Sequence, residues 1–166
     1  RNFAVVGGRL WEVSTTGAGT DRGAVAQDGN PAQMVYNGKV GGQLGICSGG
    51  AVYSFLLSTN VLSATSLTSG YTHLAYSHGY GLAFNPTTGR VQLSTLNDLG
   101  TYGGAVFMQR SLFPDPWRAM FVDENSLVWL IGSETFEVRY DSGQGTQPFT
   151  VVDGLSGRFG IASPFG

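Results

Sequence analysis

The 166-residue sequence predicts an all-β fold, a propeller-like array of short antiparallel blades forming a partial propeller, on three observations. Helix signals are nearly absent: no window carries apolar residues at i, i+3, i+4 and i+7 without an interrupting Gly or Pro. Short runs of Val, Leu, Phe, Tyr and Trp recur instead, bounded by Gly, Asn, Asp and Ser, the pattern of strands and turns. These runs share a layout of strand, tight turn, strand that returns every few tens of residues.

The first unit is Phe3–Val6, the turn Gly7-Gly8, and Arg9–Val13. Leu44–Cys47, Gly49-Gly50 and Ala51–Phe55 repeat it. His73–Tyr76, His78-Gly79 and Tyr80–Phe84 make a third unit, extended through Pro86–Gly89 into Arg90–Ser94. The fourth is Arg118–Val122, Glu124-Asn125, Leu127–Ile131, Ser133-Glu134 and Phe136–Tyr140. Two-residue turns rich in Gly or Asn suit the positive φ angles of short hairpins. Gly7, Gly49, Gly79 and Asn125 read as corresponding turns, 42, 30 and 46 residues apart. That spacing is uneven, and a β-sandwich with several hairpins is the alternative architecture. Leu96–Gly104 reads as a loop, and Phe113-Pro-Asp-Pro-Trp117 as a rigid connector that inserts Trp117 into the core. Tyr71, Tyr102 and Phe107 read as covers for exposed sheet edges. Residues 1–166 form a single region; starting at Arg1 and ending at Gly166, it reads as an excerpt of something longer, with further blades outside it.

Composition narrows the function. Charged residues are 12%, about half the usual share, and Gly supplies 26 positions. Aromatics at 12% along the whole length exclude disorder. So little charge suits a subunit packed among neighbours, or a monomer kept soluble by Ser, Thr, Asn and Gln. The net charge is −2, and Arg110, Arg118, Arg139 and Arg158 are isolated, so no clustered cations grip a phosphate backbone. One cysteine, Cys47, excludes an internal disulfide and a CxxC metal site. No apolar run approaches the ~18 residues of a membrane span.

No catalytic residue, metal ligand or cofactor is expected. Cys47 on a Gly-flanked turn invites a nucleophile reading. However, His73 and His78 follow it in the chain, and a strand rather than a helix comes next. The two histidines lack a third ligand for zinc. Asp123-Glu124-Asn125 lacks the spaced acids of a calcium loop and reads as a turn. Glu134 and Glu137, in a strand, would point to opposite faces and make a poor glycosidase pair.

The last quarter carries the most specific motif. Leu127-Val-Trp-Leu-Ile-Gly132, Glu134-Thr-Phe-Glu-Val-Arg-Tyr140, a Ser-Gly turn, Pro148-Phe149, and Gly160-Ile-Ala-Ser-Pro-Phe165 follow one another. This resembles the packaged-DNA stabilisation proteins of short-tailed bacteriophages, the tail hub or head-closure proteins. Trp129, Gly132, Glu137, Val138, Tyr140, Gly143, Pro148, Phe149, Gly160, Ala162 and Pro164 stand in the order of that family's motif. Val5–Leu10, Ser94–Asp98 and Asp123 resemble the family more sparsely. Arg139 stands where the family has an aromatic, Ile161 where it has Cys, and the segment before Pro114 differs.

The resemblance implies a structural virion protein without enzymatic activity, assembled in the bacterial host cytoplasm. Copies would form a ring on the phage tail, docked to portal or adaptor proteins on one side and the tail needle or nozzle on the other. They would retain packaged DNA and form its exit path without binding it tightly. The alternative is a carbohydrate-binding, lectin-like β-propeller in which Trp11, Trp117 and Trp129 stack on sugar rings.

Overall fold

A computed structural model describes residues 1–109, 112–145 and 147–165. They form four small antiparallel sheets, each a meander in chain order. The first contains β1 (Asn2–Val6), β2 (Arg9–Val13) and β3 (Gly19–Ala24); the second, β4 (Gln33–Tyr36), β5 (Gln43–Ser48), β6 (Ala51–Leu56) and β7 (Val61–Ala64). The third holds β8 (His73–Ser77), β9 (Tyr80–Asn85), β10 (Arg90–Thr95) and β11 (Asp98–Gln109). The fourth holds β12 (Trp117–Val122), β13 (Val128–Gly132), β14 (Phe136–Asp141) and β15 (Phe149–Gly157). One helical turn, α1 (Gly38–Gly41), interrupts the pattern between β4 and β5. Four separate sheets replace the two faces of a sandwich.

The sheets stand side by side. β4 lies against β8 and β8 against β12, so first strands form an inner row, while β3 meets β7 at the outer rim. Each gap is filled by the alternate apolar residues of facing strands. Leu10, Leu44, Ile46 and Phe55, with Phe3 and Val5, join the first and second sheets. Cys47, Val52, Leu67, Leu74, Ala83 and Tyr102 join the second and third. Leu82, Phe84, Val91, Leu93, Met108, Trp117, Met120, Val128 and Leu130 join the third and fourth. Burying each such large side chain contributes about 1.5–3 kcal/mol.

The true repeat is set by the inner strands, which begin at Gln33, His73 and Trp117, 40 and 44 residues apart. The turns matched by sequence are therefore not all equivalent. Gly79 and Asn125 join first to second strands, whereas Gly49 joins the second to the third. Gly7 belongs with Gly49, because Phe3 and Val5 of β1 pack with Leu44 and Ile46 of β5. Positive φ is found at Gly7-Gly8, Gly49-Gly50 and His78-Gly79, but in the fourth sheet it falls on Ser126 instead of Asn125. At Gly49 the choice is strict: φ is +58°, and a Cβ would run into the Ala26 backbone.

Leu96–Gly104 is not a loop. After a turn at Asn97 the chain enters β11, whose pairing with β10 slips twice through bulges. Tyr102 is buried in the core between the second and third sheets instead of covering an edge, and Tyr71 packs half-buried beside it. Phe107 lies under the Arg90 guanidinium, 4.2 Å away. Trp117 is buried as expected, its ring tilted against Phe84 of the neighbouring sheet. Arg110 and Gly166 lie outside the described residues.

Candidate functional site

The motif residues gather in the fourth sheet and in the segment that leaves it. Asp115, framed by Pro114 and Pro116, anchors the β13–β14 turn. Its carboxylate accepts the backbone N–H groups of Ser133, Glu134 and Thr135 at 3.2, 2.9 and 2.9 Å, and the hydroxyls of Ser133 and Thr135 at 2.5 and 2.9 Å. Withdrawal from water works to raise its pKa, but these donors prevail and hold the carboxyl well below the usual range. Gly132 sits so close that a Cβ would run into this carboxylate. Glu134 thus lies exposed in the turn and not in a strand.

Glu137 and Arg139 share one face of β14 because their offset is even. Arg139 Nε and Nη2 donate to Glu137 Oε1 at 3.0 and 2.8 Å, and Nη2 also donates to the Gln109 carbonyl at 2.7 Å. The two side chains are 1% and 8% exposed, and the guanidinium lies 5.5 Å from the Trp117 ring centroid. The Arg that stands in place of an aromatic is therefore one half of a buried ion pair. Trp129 projects from the opposite face of the sheet. Its Nε1–H donates to Asp123 at 2.9 Å, and its ring is stacked between Phe121 and Phe136 at 5.7 and 5.6 Å. Phe159 extends this column beyond Phe136.

The remaining motif residues shape the end of the sheet. Tyr140 is largely exposed opposite Thr150, and Gly143 turns with φ +72° while donating to Asp141. Pro148 is buried, and its carbonyl accepts the Ser142 N–H and hydroxyl at 2.6 and 3.0 Å. Phe149 meets Tyr80 of the third sheet edge-on.

Beyond β15 the chain crosses the array. Gly160 presses on the Ser133 backbone where a Cβ could not fit, and Ile161 N–H donates to Gly132 O at 3.0 Å. Arg118 donates to Ala162 O at 3.1 Å. Pro164 O can only accept, so His73 Nε2 donates to it, at 3.1 Å, leaving Nδ1 facing the Thr72 hydroxyl. Phe165 stacks on the His73 ring at 5.4 Å and 2°. Burial lowers the His73 pKa against the opposing effect of the Pro164 carbonyl. The segment thus fastens the fourth sheet to the third.

The chemistry of these positions is that of packing. Cys47 is buried, its thiol donates to the Tyr71 carbonyl at 3.4 Å, and burial pushes its pKa up to about 12, far from a reactive thiolate. Among the described residues, no group of three His, Cys, Asp or Glu could hold a metal ion. Asp123 forms the expected turn, accepting Asn125 and Leu127 N–H groups. No helix among the described residues is long and apolar enough to cross a membrane. Sequence reasoning missed Asp115 and the His73–Phe165 stack. The Pro-Asp-Pro frame was the available signal for the first; nothing local marks the second, whose partners are 92 positions apart.

No family model and no curated protein matches the chain. Among solved structures it is similar to a protein from Lactobacillus plantarum, with a TM-score of 0.54 and 13% identity over 92% of this chain. The array is β-propeller-type. The chain spans about half, 50%, of that protein's length, and at such identity the likeness concerns fold alone.

Proposed function

We propose that this chain is a structural, non-catalytic part of a short-tailed phage tail hub, docking to portal or adaptor and tail proteins, retaining packaged DNA and lining its exit. One observation carries the reading: the residues that resemble the hub motif pack together in one sheet and its outgoing segment, and do not line a cleft. Trp129, Gly132, Glu137, Phe149, Gly160 and Pro164 each have a packing or hydrogen-bonding reason to be what they are. A motif that builds a sheet fits a family defined by architecture. Low charge and the absence of a basic cluster suit a wall past which DNA slides, since many phosphate contacts would act as a brake.

The lectin-like reading has less support. Trp117 is buried, both faces of Trp129 are stacked on phenylalanines, and Trp11 packs against Gly19. Sugar recognition needs an open aromatic face. The test is genetic: a nonsense mutation in the gene should give phage heads that fill and then lose DNA, rescued by adding the full-length protein. Heads that retain their DNA, or a purified protein whose Tm rises with a simple sugar, would overturn the proposal.

A further inference from the structure

We draw no further inference here: the strongest candidate, the aromatic column of Phe121, Trp129, Phe136 and Phe159 on the face of the fourth sheet turned away from the third, exposed at Phe121 and Phe159, carries nothing because nothing in the structure shows what covers it.

Discussion

The two end sheets are built on the same meander and secured by opposite means. The first is held at its rim by ion pairs in contact with water: Glu12 receives Arg1 and Arg22, and Arg9 meets Asp21. Hydrogen bonding from Arg1, assisted by Arg22, lowers the Glu12 pKa to about 2. The fourth is secured from inside by the Glu137–Arg139 pair, the Asp115 anchor and the segment that crosses to His73. Charge at a wet rim is screened and contributes little; charge in a dry interior must be matched or it is costly. The sheet that carries the hub-like motif is the one where single residues cannot be exchanged freely.

The largest effect should come from Glu137→Ala, which leaves Arg139 buried without its carboxylate. A loss of about 3–5 kcal/mol in denaturant unfolding is expected, with a much smaller loss for the double replacement Glu137→Met, Arg139→Leu. Equal losses would mean that the pair is not coupled. Gly160→Ala should cost about 1–3 kcal/mol, because the Ser133 backbone must yield. A neutral result would show that the crossing segment is not tightly seated.

The crossing segment should also respond to pH. The lowered His73 pKa means that the unfolded chain takes up the proton first, so stability falls as pH drops below about 6.5. Wild-type Tm should therefore decline between pH 7 and 5 more steeply than that of His73→Gln, and parallel curves would remove His73 from the account. The smallest effect belongs to the first sheet. Glu12→Gln should lower Tm only slightly, by clearly less than Glu137→Ala, because solvent screens its ion pairs. A clear drop would erase the contrast between the two ends.

Except for β4, Gln33–Tyr36, which the sequence reading passes over, the inner and middle strands were readable because they are apolar and bounded by Gly or Asn, as in Leu44–Phe55 and His73–Phe84. The outer strands were not. β3, Gly-Thr-Asp-Arg-Gly-Ala, is mostly exposed and shows no apolar alternation, and β7 offers only Val-Leu-Ser-Ala. β11 was hidden by Gly100, Gly103 and Gly104, which suggest a loop until the bulged pairing to β10 is visible. With β4 unread, the second unit starts one strand late, and Gly49 aligns with Gly79 across a whole strand. At the site, Phe136–Tyr140 reads as a strand and so already puts Glu137 and Arg139 on one face; what the sequence does not carry is that this face is buried, which makes the two a pair. The His73–Phe165 stack depends on a chain crossing that no local pattern encodes.

The most direct test of the proposed hub role is a density map of a short-tailed phage's portal vertex in which this chain is sought. The account predicts rings of side-by-side antiparallel sheets beneath the portal, into which the arc from β1 to β15 fits with its inner strands nearest the DNA path. Particles complete with tails but lacking this chain, or a vertex with no propeller-type sheets, would contradict it.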